Sequence, residues 1–290
     1  MTTKKIIVGY DGSAPARRAA RWALDEATRT GAPVELCSAP AFPAPVAPPA
    51  LPPHPAPGTA GDTAGDLAAS AAVSHPSVAV RTVVSHEPAA DTLIARSADA
   101  SLIVLGKGDR PAATGRIGCV AVGVAAEAQC SVIVVRGQPA PWYPIVVGVD
   151  HSGAALHALA FAFEQAAARA VPLLVMRAWL PPAGGHHPDA LPAVLAEQRR
   201  NLIEQLDGWQ EKFPSVDAMH SVLVDHPARA LADASRDAQL VVVGTRSHAF
   251  RGTLLGSVSR HLVQRAASSV AVVRDGNLRT ACAGDGPPVL

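Results

Sequence analysis

The sequence predicts an α/β protein with two tandem domains, each built on a doubly wound sheet of five parallel strands. The chain has 290 residues, and domains of about 150 residues make two domains the first expectation. A segment near the start returns in mid-chain, which indicates an internal duplication. Within each copy, short β-branched apolar runs alternate with helix-like segments, a pattern typical of parallel strands covered on both faces.

The two copies keep an almost constant offset. KKIIVGYDGSA returns as YPIVVGVDHSGA, which places Asp11 opposite Asp150, 139 positions later. Further on, SLIVLG returns as QLVVVG at an offset of 138, and this match pairs Gly106 with Gly244 and Gly118 with Gly256. The predicted domains are 1–138, with a proline-rich insertion at about 40–57, and 142–275, followed by a disordered tail at 276–290.

The strands and helices follow the same order in both copies. Strands are expected at 6–10, 34–38, 78–84, 102–105 and 132–135, and again at 145–149, 173–178, 218–224, 240–243 and 270–273. Ser13 and Pro15 predict the start of the first helix, and Gly31 predicts its end. A charged helix is expected at 190–212, whereas the proline tract indicates that the first copy has lost much of the equivalent helix.

Composition excludes several classes of partner. The formal net charge is +1 and only 17% of residues are charged, so neither a nucleic acid nor a membrane surface is expected as a partner. The N-terminus resembles no secretory signal, and the long uncharged stretch is too rich in proline for a membrane helix. The four cysteines form no CxxC pair. We therefore expect a cytoplasmic protein with reduced thiols.

The candidate site lies where the repeated motifs fall, beyond the carboxyl ends of the strands. Gly244 ends a predicted strand, and Gly256 and two serines open the next helix. The free N–H groups of a helix start favour phosphate. Arg246 and Arg251 in the intervening loop add positive charge, and Asp150 would face the same crevice and accept hydrogen bonds from a nucleoside.

VGVDHS together with VVVGTRSHAFRGTLLGSVSRHLVQRAASSVAVVR resembles the universal stress protein family in its tandem form, as found in actinobacteria. The resemblance implies Rossmann-like domains with strand order 3-2-1-4-5 and ATP as a ligand, with Mg²⁺ as an optional companion. Carried onto the second copy, the family's nucleotide-binding positions are Gly148, Asp150, Ala178, Gly244, Gly256, Ser257, Val258 and Ser259. The second glycine of the family's G-x2-G-x9-G-[ST] loop is Ser247 here, and the loop is one residue shorter.

The first copy departs further from the same pattern. Its surviving positions are Asp11, Ala39, Gly106 and Gly118. Asp109 replaces the second loop glycine, while Cys119 and Ala121 replace the hydroxyl residues. Because an acidic side chain repels a triphosphate, we expect this copy to be mainly structural, with Lys107, Arg110 and Arg116 as the groups that would compensate.

The residues also leave several different functions open. One is a scaffold that binds no nucleotide and acts through its dimer surface or proline tract, and another is a slow ATPase. His186 and His187, close to Asp189, could form part of a metal site, but adjacent residues in a loop rarely converge on one ion without a third defined ligand. No GxSxG elbow supports a hydrolase. Cys119 is a candidate redox thiol. The apolar last strand of each copy predicts pairing, either as an intra-chain pseudo-dimer or as a homodimer.

Overall fold

A computed structural model of the protein describes residues 4–39, 60–107, 119–137, 139–181, 191–245 and 255–274. The chain divides into two compact units, Met1–Arg136 (unit 1) and Gly137–Leu290 (unit 2). Each unit is an α/β domain with a parallel sheet of five strands, which is the predicted fold class.

In unit 1 the elements are β1 (Lys5–Gly9), α1 (Ala14–Thr30), β2 (Val34–Ser38), α2 (Ala60–Ser74), β3 (Val80–Val84), α3 (Ala89–Arg96), β4 (Ala100–Gly106), α4 (Cys119–Glu127) and β5 (Ser131–Val135). The strands lie in the order β3-β2-β1-β4-β5, and every pair is parallel. The order reverses direction between β1 and β4, so the carboxyl ends of these two strands border the crevice where ligands bind in such sheets.

In unit 2 the elements are β6 (Ile145–Gly148), α5 (Gly153–Arg169), β7 (Leu173–Trp179), α6 (Leu191–Lys212), β8 (Ala218–Val224), α7 (Pro227–Ala234), β9 (Leu240–Gly244), α8 (Ser257–Arg265) and β10 (Ser269–Val273). The strands lie in the order β8-β7-β6-β9-β10, again all parallel. The equivalent crevice therefore lies between the carboxyl ends of β6 and β9.

Burial explains why the strand sequences are almost continuously apolar. Ile6, Ile7 and Val8 are exposed by no more than 1%, and consecutive side chains of a strand point to opposite faces. Both faces of β1 are therefore covered. In unit 2, β6 is buried in the same way along Ile145, Val146 and Val147.

Local chemistry sets the ends of α1 as the sequence predicts. The Ser13 hydroxyl accepts the N–H of Ala16 at 3.2 Å, and Pro15 stands in the first turn. Gly31 ends the helix at φ 66°, in the left-handed region that glycine adopts without steric cost, and its N–H donates to the carbonyl oxygen of Ala27.

The expectation that the first copy had lost much of its second helix overstated the loss. α2 spans 15 residues against 22 in α6, so the helix is shortened but retained. Its sequence is rich in alanine, which has the highest helix propensity. Ala64 and Ala71, two turns apart, are each 1% exposed on the side that packs against the sheet.

The bounds of β2 and β8 equal the predicted ones, and those of the other strands differ by one or two residues. β4 begins two residues earlier than predicted. β3 begins two residues later, at Val80, because the Val78 N–H donates to the His75 carbonyl oxygen in a turn. The proline-rich insertion and the tail from 276 lie outside the described residues. Among the described helices, none is long and apolar enough to cross a bilayer.

Candidate functional site

Unit 2 contains a cavity of about 320 Å³ at the carboxyl ends of its strands. All eight positions predicted for this copy line it: Gly148, Asp150, Ala178, Gly244, Gly256, Ser257, Val258 and Ser259. They come from the ends of β6, β7 and β9 and the start of α8. The structure thus brings together residues up to 111 positions apart, between 148 and 259.

Asp150 follows β6 and is held by its own loop. One carboxylate oxygen, Oδ1, accepts the N–H of Ser152 at 2.9 Å and also the Ser152 hydroxyl. Because that hydroxyl bonds to Asp150, it does not cap α5. Within the described part of the chain, Oδ2 receives no hydrogen bond, so it can accept one from a ligand.

The start of α8 forms the opposite wall of the cavity. Gly256 is the N-cap residue, and no side chain of the described residues caps the helix. The N–H groups of Ser257, Val258 and Ser259 therefore have no partner within the helix and carry the positive end of its dipole. The Ser259 hydroxyl donates to the Gly244 carbonyl oxygen at 3.4 Å, which ties the helix start to the end of β9. This wall suits an anion such as phosphate.

Apolar side chains that the sequence interpretation did not single out make up the rest of the lining. Met176 lies on β7, Leu231 on α7 and Val243 on β9, and these three are between 4% and 5% exposed. A cavity with one phosphate-suited wall and one apolar wall matches a ligand with a charged end and a flat apolar end. The packing of α7 over β6 and β7 brings Leu231 to the site, beside the strand residues Met176 and Val243.

Two of the predicted glycines also have a packing role. A Cβ on Gly244 would lie 2.6 Å from the Ala154 carbonyl oxygen, and one on Gly148 would lie 2.5 Å from a Leu231 methyl group. Both contacts are far closer than real Cβ atoms show. Among the described residues, a Cβ on Gly256 would instead meet no atom within 4 Å. Only Gly256 therefore leaves space that a ligand or an added side chain could occupy.

Arg177 is a further residue beside the site that the sequence interpretation missed. It lies on β7 between Met176 and Ala178, is 3% exposed, and donates from Nη2 to the Gln205 side-chain oxygen at 2.7 Å. Burial lowers the pKa of Arg177 from its ordinary value, and the charge of Asp150 opposes that shift. The signal in the sequence was a single charge inside the apolar strand LLVMRAW.

Unit 1 places its surviving positions at the equivalent strand ends. Asp11 follows β1 and accepts the Ser13 N–H at 3.0 Å, Ala39 follows β2, and Gly106 ends β4. A Cβ on Gly106 would lie 2.2 Å from the backbone of Pro15, so this glycine has a packing role whether or not a ligand binds. Gly118 lies outside the described residues.

One arrangement in unit 1 has the composition of a hydrolase triad. The His75 ring lies 2.9 Å from the Ser74 hydroxyl, measured from Nδ1 to Oγ, and 3.2 Å from the Asp25 carboxylate, measured from Nε2 to Oδ1. The Ser74 hydroxyl, however, donates its hydrogen to the Ser70 carbonyl oxygen, so His75 accepts no proton from it, as a general base must. In unit 2, the Ser152 hydroxyl donates to Asp150 and not to a histidine.

Metal binding and thiol chemistry gain no support from the described residues. Those ranges hold no group of three or more His, Cys, Asp or Glu residues able to bind a metal ion. His186, His187 and Asp189 lie outside them, as do the side chain of Cys119 and the loop arginines 246 and 251. Cys37 and Cys130, which form no disulfide among the described residues, are buried.

Fold and cavity together define a class of protein. Each unit is a doubly wound α/β domain, and in unit 2 a cavity with an apolar wall and a free helix start lies beside the switch in strand order. Family comparison then identifies the chain: residues 2–136 and 142–274 both match the model of the universal stress protein family. The chain belongs to that family.

Individual relatives agree with this assignment. A universal stress protein of Mycobacterium tuberculosis is 34% identical over 288 residues, covering 93% of this chain and 96% of that protein. A universal stress protein structure from Pseudomonas aeruginosa has the same fold, with a TM-score of 0.68 at 17% identity, covering 94% of this chain and 93% of that one. A shorter universal stress protein from Archaeoglobus fulgidus, solved in complex with dAMP, aligns to 46% of this chain and 99% of its own, with 25% identity and a TM-score of 0.36.

Proposed function

We propose that unit 2 binds an adenine nucleotide, ATP foremost, as a regulatory ligand in a stress response, and that the protein is not a dedicated metabolic enzyme. The observation that carries this proposal is that the eight positions predicted from the family resemblance all line one cavity of about 320 Å³. The lining comes from three strands and three helices, at the edge of the sheet where such folds bind ligands.

The chemistry of the two walls supports the orientation of the ligand. The base would pack against Met176, Leu231 and Val243, with Asp150 accepting a hydrogen bond from the nucleoside. The phosphates would lie at the start of α8, where Gly256 leaves open space and the helix N–H groups donate. Mg²⁺ would accompany the phosphates as it does in solution, without a dedicated protein site.

A regulatory role is favoured over catalysis by the hydrogen bonds around the site. A general base must be free to take a proton. Asp150, the carboxylate in the lining, has Oδ1 bonded to its own loop and to the Ser152 hydroxyl, and its Oδ2 would be occupied by the proposed hydrogen bond from the nucleoside. Slow ATP hydrolysis is the second candidate, and turnover assays of the folded protein test it directly.

Titration calorimetry with ATP, and separately with AMP, tests the proposal. Gly256→Asp adds a carboxylate at a position with open space, so we expect a folded variant that repels phosphate and loses binding by at least about a hundredfold. Gly208→Asp is the matched control, because Gly208 is exposed on α6, outside the cavity lining, and also has no atom within 4 Å of an added Cβ. Its affinity should equal that of the wild-type protein.

The same measurements distinguish nucleotide binding from the scaffold hypothesis. If folded wild-type protein binds neither nucleotide at millimolar concentration, the nucleotide proposal is wrong and the scaffold becomes the leading function. Gly118→Asp addresses unit 1, whose Asp11, Ala39, Gly106 and Gly118 are proposed as a weak or structural copy of the site. A change in ATP affinity in this variant would assign ligand binding to unit 1 as well.

Pairing through the last strands, within one chain or between two chains, remains a prediction. Sedimentation of the protein with and without ATP would establish the oligomeric state and whether the ligand alters it.

A further inference from the structure

We infer that Ser152 is a positioning residue of the unit 2 site, whose hydroxyl holds the Asp150 carboxylate in one orientation and leaves Oδ2 available to the ligand. The inference deepens the proposed function and rests on it. It starts from the two hydrogen bonds that Oδ1 of Asp150 accepts, one from the Ser152 N–H at 2.9 Å and one from the Ser152 hydroxyl. Both residues line the cavity.

The equivalent serine of unit 1 uses its hydroxyl differently. Ser13 follows Asp11 at the same spacing as Ser152 follows Asp150. Its N–H donates to Oδ1 of Asp11 at 3.0 Å, as in unit 2, but its hydroxyl accepts the Ala16 N–H at 3.2 Å and caps α1. The same hydroxyl therefore supports the helix in unit 1 and the carboxylate in unit 2.

The turn before each serine differs in backbone conformation. The serines themselves are alike, with φ −70° and ψ 160° at Ser13 and φ −86° and ψ 155° at Ser152. The preceding residue of unit 1, Gly12, has φ 75°, in the region that favours glycine, whereas His151 of unit 2 does not have a positive φ. The His151 ring lies 3.2 Å from the Gln198 side-chain oxygen. The two turns thus present the serine hydroxyl to different partners.

The orientation of Asp150 is what unit 2 gains from this change. In the described chain, α5 begins without a side-chain cap, although a serine at this position commonly stabilises a helix. Asp150 is exposed, and the terminal torsion of an aspartate is otherwise broadly distributed. Two donors on Oδ1 restrict that rotation. An acceptor that is fixed before binding reduces the entropy lost when a ligand binds.

Paired serine substitutions test the inference, with calorimetry for ATP affinity and hydrogen exchange in urea for the stability of each unit. Ser152→Ala should weaken ATP binding about fivefold, the scale of one side chain immobilised on binding, with little change in the stability of unit 2. Ser13→Ala is the matched control. It should leave the ATP affinity unchanged and lower the folding equilibrium constant of unit 1 about fivefold, as the loss of a serine cap does.

Two further variants separate positioning from direct contact with the ligand. Ser152→Thr keeps the hydroxyl and should bind ATP within about twofold of the wild type. In an Asp150→Ala background, Ser152→Ala should cause no further loss, because the carboxylate that it orients is absent. The carboxylate carbon signal of Asp150 in NMR spectra gives a readout without nucleotide. It should shift in Ser152→Ala and stay in place in Ser13→Ala.

The negative results have different meanings. Wild-type protein that binds no nucleotide overturns the proposed function. Wild-type binding with unchanged affinity in Ser152→Ala overturns the role of Ser152 alone, and so does an equal loss in the Asp150→Ala background, which would show that the hydroxyl contacts the ligand itself. An Asp150 carboxylate signal that Ser152→Ala leaves in place overturns the positioning contact, with or without nucleotide.

Discussion

The two units share a backbone plan, but their second strands carry a buried charge at opposite ends, Glu35 in β2 and Arg177 in β7. In unit 1 the charged cluster lies near the start of the strands, where Glu35 of β2 accepts from Lys5 at 2.9 Å and from Arg96 at 2.7 Å. In unit 2 the equivalent positions are Pro144, Leu174 and Ala234. The buried charge there is Arg177, near the carboxyl end of β7.

This difference separates two uses of a buried charge. The amino ends of parallel strands lie away from the ligand crevice, so the Glu35 cluster contributes to packing and not to a site. Its charges are paired, as buried charges usually are. The carboxyl ends border the crevice, and there unit 2 keeps a charge with two free nitrogens. The two copies kept the same strand order, but their polar groups lie at different positions.

The side chains beyond the strand ends differ in the same sense. In unit 1 the hydroxyls of Ser85 and Thr92 lie 2.8 Å apart in a hydrogen bond. Their counterparts in unit 2 are Leu223 and Ala230. The hydroxyl pair of unit 1 therefore has no polar equivalent in unit 2.

The largest expected effect tests whether both copies pack their first helix in the same way. Gly106→Ala should destabilise unit 1 by about 3 kcal/mol, because the added Cβ would meet the Pro15 backbone at 2.2 Å and backbone cannot rotate away. Gly244→Ala should cost unit 2 about 2 kcal/mol, since its contact at 2.6 Å is less severe. Hydrogen exchange of the β1 and β6 amides in increasing urea measures each unit separately. Equal stability of both variants and the wild type would contradict the packing role.

The next effect tests the charged cluster of unit 1. Arg96→Ala leaves Glu35 buried with one cation, and we expect a loss of about 2 kcal/mol. The double change Glu35→Leu with Arg96→Ala copies the residues of unit 2 and should recover most of that loss, because an apolar replacement of a buried pair is often neutral. Urea unfolding of the two variants measures whether Glu35→Leu recovers the stability lost in Arg96→Ala. A further loss of stability in the double variant would contradict the prediction.

A smaller effect concerns pH. Burial acts to raise the pKa of Glu35, but the hydrogen bonds from Arg96 and Lys5 outweigh it, so the pKa lies below the ordinary value of 4.5. A carboxylate whose pKa is lowered by folding stabilises the folded state at pH values above its ordinary pKa. That contribution is lost as the pH falls through the lower pKa of the folded state. The stability difference between wild type and Glu35→Gln should therefore be constant from pH 7 to 5 and shrink below about 4.5. A difference that grows on acidification would reverse the assigned sign.

The smallest effect compares the two helices that differ most in sequence. Gly65 lies in α2 and Gly208 in α6, both exposed and with open space around an added Cβ. Gly65→Ala and Gly208→Ala should each stabilise their unit by about 0.5–1 kcal/mol through helix propensity alone. Thermal unfolding followed by circular dichroism measures both. A loss of stability at Gly65 alone would show that α2 packs more tightly than α6.

Local patterns were enough to predict much of the fold. The runs at β2 and β8 matched the predicted bounds without change. The start of α1 at Ser13 and its end at Gly31 followed from capping chemistry. The extent of α2 was misjudged because the proline tract before it dominated the composition, whereas the helix itself depends on alanine propensity and on burial against the sheet.

By itself, the sequence determined the duplication and the fold class, because repeated motifs and apolar periodicity are encoded locally, and its family resemblance predicted the eight positions that line the unit 2 cavity. Only the tertiary structure placed Met176, Leu231 and Val243 around one cavity and buried Arg177 against Gln205. It also showed that Gly106 and Gly244 are close-approach positions between a strand end and a helix start. The physical reason is that burial, cavity shape and the charge acting on a side chain depend on elements far apart in the chain.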